Sequence, residues 1–161
     1  MTVWSSMSDL SYRKAQVEDL EAVVTMLADD QLGSVREKVG HPLPLIYREA
    51  FERMSKQHGN DLIVVEQDGG IIGCMQLTII HGISRKGMSR CQIEGVRIAK
   101  SARGGGIGEK MMKYAITYAK SKGCGLVQLT TDTRREDAHR FYERLGFIAS
   151  HVGMKLDLLD G

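Results

Sequence analysis

The sequence predicts one mixed α/β domain, with a hairpin-rich first half and a strand–helix–strand crossover in the second. Three observations predict it. Two apolar runs, DLIVVEQ (61–67) and IIGCMQLTII (71–80), flank an Asp-Gly-Gly turn, which reads as a β-hairpin. Apolar residues at helical spacing recur on both sides of that block. A glycine-rich turn, RGGGIG (103–108), joins a strand to a helix.

The elements follow in order. LSYRKAQ (10–16) alternates weakly and reads as a first strand. In residues 17–30, Leu20, Val23, Val24 and Leu27 fall on one helical face, with acids in the first turn that suit the helix dipole. Residues 31–45 carry Gly33, Gly40, Pro42 and Pro44 and form a loop or broken helix. Residues 45–58 read as a second helix ending near Gly59 and Asn60. After the hairpin and the basic turn SRKG, a strand spans about 88–99. A helix over 107–122 buries Ile107, Met111, Ala115 and Ala119 and stops at Gly123. GLVQLTT (125–131) is a buried strand. Residues 135–147 form a short helix with Ala138, Phe141 and Leu145 on one face. The alternating tail FIASHVGMKLDL is expected to hold one or two closing strands, giving a sheet of six to seven strands with about four helices.

Composition bounds the function. The chain has 161 residues, 42% of them apolar and 26% charged, as in an ordinary globular domain. Residues 1–8 read as a flexible tail and 9–161 as a single domain. No apolar run is long enough to span a bilayer, and the first residues lack the pattern of a secretory signal. A net charge of +2 gives no ground for a nucleic-acid partner. Cys74, Cys91 and Cys124 show no C-x-x-C spacing, so neither a disulfide frame nor a zinc site is expected. A reducing, cytoplasmic setting is the simplest reading. The five histidines form no H-x-x-x-H or H-x-H pair, and no metal is expected.

The segment VRIAKSARGGGIGEKMM (96–112) is the most informative. Gly104, Gly105, Gly106 and Gly108 let backbone N–H groups approach an anion without a Cβ in the way. The first helical turn adds unpaired N–H groups and the positive end of the dipole, and Arg103 adds a fixed charge. Together they describe a diphosphate cradle. The Walker pattern fails because the sixth position from Gly104 is Glu109, and Lys110 is followed by Met111. The dinucleotide fingerprint G-x-G-x-x-G fails at the same glutamate. Against a ligand-free loop stands the cost of four glycines at a helix start, each about 1 kcal/mol relative to alanine inside a helix. Gly95, inside the preceding strand, is expected to mark a bulge.

Residues 103–108 match the motif Arg/Gln-x-x-Gly-x-Gly/Ala of the GNAT-type N-acetyltransferases, and the chain is similar to that family. IEGVRIAKSA resembles the family's fourth strand, and FYERLGF (141–147) its later helix-to-strand signature. The resemblance covers about 10–158 in element order and is specific in motif over about 91–147. It implies the GNAT acyltransferase fold and the transfer of an acetyl group from acetyl-CoA, as co-substrate, to a small-molecule or peptide amine. It further implies that the diphosphate sits on the N–H groups of Gly104, Gly105, Gly106, Ile107, Gly108 and Glu109, beside Arg103. Pantetheine would pair with backbone groups of Val96, Arg97 and Ile98 like an added strand. Relatives often pair, so a homodimer stays open.

Such a transfer needs the amine to lose a proton, the thioester oxygen to be stabilised and the departing thiolate to gain a proton. Glu94, beside Gly95, is the candidate base, against the alternative of an edge-strand carboxylate paired with a cation. Tyr142 is the candidate acid: it stands about 100° around its helix from Phe141, and the family's pattern puts a tyrosine here. Its alternative is a tyrosine capping the core. The N–H of Val96 is the natural oxyanion donor. Where family members often carry an Asn after the fifth strand, this chain has Thr131, Asp132 and Thr133; Arg134, Arg135 and His139 read better as a solvated helix start than as coenzyme contacts. Cys91 faces away from Glu94 by alternation and reads as a buried core thiol. Asp29, Asp30 and Glu37 lie near the loop and would suit a cationic amine.

Overall fold

The computed structural model describes residues 9–159. The tail expected over residues 1–8 lies outside them. Five strands form one sheet in sequence order: β1 (Ser11–Lys14), β2 (Asn60–Gln67), β3 (Gly70–Ile80), β4 (Arg90–Ile98) and β5 (Leu126–Leu129). β1 to β4 are antiparallel neighbours. Gly125 N–H donates to Ser89 O at 2.9 Å, and the Gln128 side chain donates to that of Gln92 at 2.7 Å. Both links advance in the same direction, so β5 runs parallel to β4. Parallel neighbours need a crossover, and α5 (Ile107–Ser121) supplies it. β5 ends at Leu129 while β4 continues to Ile98, so the later half of β4 runs past the end of β5.

The hairpin forms where the sequence predicts it. Asp68 and Gly69 both take positive φ, 53° and 78°, and Gln67 pairs with Gly70. Two left-handed residues match the right-handed twist of the flanking strands.

α1 (Leu20–Ala28) follows a short 3-10 turn (Val17–Asp19) and buries Leu20, Val23, Val24 and Met26. Arg13 of β1 bridges Asp19 (2.6 Å) and Glu66 (2.7 Å), tying the start of α1 to β2. α3 (Leu45–Lys56) has no fully buried residue. α5 packs Met111, Met112, Ala115 and Ala119 into the core and ends where Gly123 turns left-handed, with φ 75°. The described residues divide into two compact units after Gln128. The second unit holds α6 (Glu136–Arg144), with Ala138, Phe141 and Leu145 half-buried.

Two expectations need correction. The tail 147–158 forms no strand, so among the described residues the sheet has five strands rather than six to seven. Ile148, Val152, Met154, Leu156 and Leu158 are each at least 84% exposed. Alternation specifies which face a strand would bury, but a strand exists only where an edge pairs with it. Among the described residues six helical segments replace about four, because the broken stretch contributes one turn, α2 (Gly33–Arg36), and SRKG folds as another, α4 (Ser84–Gly87). In α4, Arg85 and Lys86 are left-handed, with φ 53° and 60°. Among the described residues no helix is long and apolar enough to cross a membrane.

Candidate active site

β4 decides the geometry. Gln76 pairs with Glu94 and Cys74 with Arg97, so Gly95 and Val96 together oppose Met75. This is a β-bulge, and Gly95 sits in it at φ +59°. Without the extra residue, Glu94 and Arg97 would point to opposite faces of the sheet. With it, both share the face of Cys74 and Gln76. The same face carries α1: Val23 and Met26 pack on Val64 and Cys74, and a Cβ on Gly95 would lie 3.7 Å from Leu27 Cδ2. Glu94 itself is exposed at the edge of that cover.

After β4 the chain makes a 3-10 turn (Lys100–Ala102) and enters the glycine run. Gly104 and Gly106 take positive φ, 87° and 72°, and a Cβ on either would meet nothing within 4 Å. Gly106 caps α5 with no side-chain hydrogen bond, and the first intrahelical bond runs from Lys110 N–H to Gly106 O. The N–H groups of Ile107, Gly108 and Glu109 therefore precede the helical ladder, with open space over the two left-handed glycines. That arrangement fits a diphosphate.

Arg103 and Arg97 are already engaged. Arg103 donates to Ile98 O at 3.2 Å and to Asp29 Oδ2 at 3.2 Å. Arg97 donates to Val96 O at 2.9 Å and stands 3.7 Å from Asp30, while its Nε is buried with no hydrogen-bond partner. Asp30 Oδ1 also accepts from Gly33 N–H. Glu37 accepts a hydrogen bond from the Tyr47 hydroxyl at 2.8 Å. The three acids suggested for a cationic amine are thus held by the protein's own donors. Asp29 and Asp30 instead tie the end of α1 to the glycine turn and to β4.

The thiols are structural. Cys91 is fully buried on the face opposite Glu94, and burial pushes its pKa up to about 11, with Cys124 adding to the effect. Cys74 Sγ reaches the carbonyl of Gly95 at 3.6 Å, and burial pushes its pKa up to about 12. Neither is a thiolate near neutral pH, so neither is set up as a nucleophile. Among the described residues no cluster of His, Cys, Asp or Glu could hold a metal.

Tyr142 belongs to the second unit. Its ring meets Phe141 (5.2 Å) and Phe147 (5.8 Å) edge-on. A groove of about 520 Å³ in that unit is lined by Arg134, Arg135 and Arg140. Arg134 is paired with Asp132 at 2.7 Å, and His139 Nε2 lies 3.2 Å from Asp132 O.

Sequence reasoning missed a row of neutral polar side chains beside Glu94. Asn60, Gln76, Thr78, Gln92 and Gln128 lie on one sheet face, in two hydrogen-bonded groups: Asn60 with Gln76 and Thr78 (2.8 and 3.2 Å), and Gln92 with Gln128 (2.7 Å). The signal was the i, i+2 spacing of Gln76 with Thr78 and of Gln92 with Glu94.

Known proteins share this frame. Residues 23–147 match the model of the Acetyltransferase (GNAT) family. The chain is 31% identical over 149 residues to a glucosamine 6-phosphate N-acetyltransferase of Trypanosoma brucei brucei, covering 88% of this chain and 98% of that protein. It is 26% identical over 114 residues to glucosamine 6-phosphate N-acetyltransferase 1 of rice (Oryza sativa subsp. japonica), covering 68% of this chain and 67% of that protein. A crystal structure from Bacillus halodurans C-125, described as a transcriptional regulator, superposes with a TM-score of 0.89 at 47% identity, over 93% of this chain and 100% of that one. Fold and relatives make the chain an N-acetyltransferase. It belongs to the GNAT acetyltransferase family, whose members use acetyl-CoA.

Proposed function

We propose that this chain transfers the acetyl group of acetyl-CoA to a primary amine by direct attack in a ternary complex. One observation carries the reading: the bulge in β4 sets Glu94 beside an open strand segment that leads straight into the amide-rich start of α5. Residues 9–161 act as one catalytic domain, a reading supported by a family match that runs across the boundary at Gln128.

Acetyl-CoA supplies an activated thioester, and the protein's residues do the rest. The N–H groups of residues 104–109 hold the diphosphate, with Arg103 adding charge once it exchanges Asp29 for the anion. Backbone groups of Val96, Arg97 and Ile98 align the pantetheine arm. Two of those carbonyls already accept from Arg97 and Arg103, which leaves the N–H groups as the simpler partners. The Val96 N–H stabilises charge on the thioester oxygen. Glu94 accepts the amine proton, and Tyr142 gives a proton to the departing sulfur. The acceptor is a small polar amine, as for the relatives named above.

Glu94→Gln is expected to lower kcat by about 100-fold or more while leaving the Kd for acetyl-CoA unchanged. Steady-state release of CoA thiol, with calorimetry for binding, reads both. A loss of coenzyme affinity equal to the loss of rate would remove Glu94 from the catalytic role. Tyr142→Phe is expected to lower kcat about tenfold or more while leaving the Kd for acetyl-CoA unchanged; an unchanged kcat would reassign it to packing.

A second reading, a non-catalytic acyl-CoA sensor on the same fold, is favoured by the Bacillus halodurans structure described as a transcriptional regulator. It predicts acetyl-CoA binding with no CoA release in the presence of any amine.

A further inference from the structure

The face of the sheet beside Glu94 is unusual in composition. At one end α1 covers Val64, Cys74 and Leu62. At the other end, in register, β2 to β5 present Asn60, Thr78, Gln92 and Gln128, with Gln76 next to Glu94. These polar residues are half-buried, and none carries a charge. A purely solvated sheet face favours long charged side chains, which keep their heads in water. Here four amides and one hydroxyl stand together, and Ile80 with Arg90 forms the next pair on the same face.

The row is also internally ordered. Asn60 Oδ1 accepts from Gln76 Nε2 (2.8 Å) and from Thr78 Oγ1 (3.2 Å), while Asn60 Nδ2 donates to Gln57 Oε1 (2.9 Å). Gln128 Nε2 donates to Gln92 Oε1 at 2.7 Å. Those bonds fix the amide heads and still leave donor and acceptor capacity on Gln76, Thr78, Gln92 and Gln128. A fixed set of neutral donors and acceptors beside one carboxylate complements a ligand with one ammonium and several hydroxyls. It does not complement an alkyl amine, which would strand those polar groups without water.

We propose that Gln76, Thr78, Gln92 and Gln128 form the acceptor floor and select a polyhydroxylated amine, of amino-sugar type, over an apolar amine of equal size. This rests on the reading that the acceptor nitrogen meets Glu94. The residues act on substrate binding, so their signature is in KM and Kd rather than in kcat.

The test titrates glucosamine and cyclohexylamine, separately, into the wild-type protein loaded with CoA, and follows turnover of both with acetyl-CoA. Wild type is expected to bind glucosamine about tenfold tighter or more. Gln92→Leu and, separately, the near-isosteric Thr78→Val are expected to raise the glucosamine Kd and KM several-fold, leaving cyclohexylamine within twofold. Melting temperatures check that both variants fold, and Thr78→Val carries the test if Gln92→Leu does not. Equal wild-type affinity for the two amines, no detectable binding of glucosamine, or equal losses for both amines in a folded variant would overturn the proposal. The binding preference is read without turnover. Full activity in Glu94→Gln would therefore sink the base assignment while a retained preference for glucosamine kept the floor.

Discussion

Gly33 shows how one missing atom can hold a site together. A Cβ there would lie 1.9 Å from the carbonyl oxygen of Leu27, which no side chain can accommodate. The close approach lets Gly33 N–H bond to Asp30, and Asp30 in turn stands against Arg97 on β4. Gly33→Ala is expected to destabilise the fold by about 2–3 kcal/mol, through displacement of the α1–α2 turn rather than through lost burial. Chemical denaturation measures it. A change below about 0.5 kcal/mol would mean that the turn relaxes freely. Neither this role nor the pairing of Asp29 and Asp30 was legible from the chain. Gly33 in a Gly- and Pro-containing stretch signals a loop, and two adjacent acids signal charge; only the approach of α1 to β4 assigns them partners.

At the scale of elements, two devices set the frame. The bulge in β4 turns one glycine into a change of side-chain register, and Gly95 made it legible in advance because strands seldom carry a glycine without reason. What it exposes was not legible: Glu94 and Arg97 on one face follows from counting residues against β3. The second device is the Arg13–Asp19–Glu66 bridge between β1, the start of α1, and β2. The Arg13 guanidinium holds the Asp19 carboxyl below its ordinary range against the opposing effect of burial, with a further hydrogen bond from the Gln16 backbone. A depressed carboxylate stabilises the fold above its unfolded pKa of about 3.9 and loses that contribution as pH falls through the lower, folded value. Asp19→Asn is therefore expected to lower Tm by a few degrees at pH 7, with the gap to wild type closing below about pH 4. A gap that persisted unchanged at pH 3 would assign the effect to packing instead of charge.

For the whole molecule, the functional claim is that the start of α5 and the bulged end of β4 serve one ligand. Binding to the folded state alone raises Tm by mass action. Acetyl-CoA at about 100 times its Kd is expected to stabilise by about 2.7 kcal/mol, with ATP and NAD giving smaller shifts. Scanning calorimetry ranks the three, and a shift produced by ATP alone would point to a nucleotide site. Apolar patterning was enough to lay out the hairpin, α5 and the crossover, because period and turn residues are local properties. It failed at the tail, where Ile148 to Leu158 alternate as a strand would yet belong to no ladder.

The sequence alone determined the order of the longer elements from β1 to α6 and the glycine turn before α5, since each depends on residues close together in the chain. The tertiary structure alone decided that the acids near the loop are spent on Arg97, Arg103 and Tyr47, and that a row of amides lines the sheet beside Glu94. Those outcomes pair residues as far apart as Asp29 and Arg103. Strand register and helix docking bring such residues together, and neither is written in local spacing.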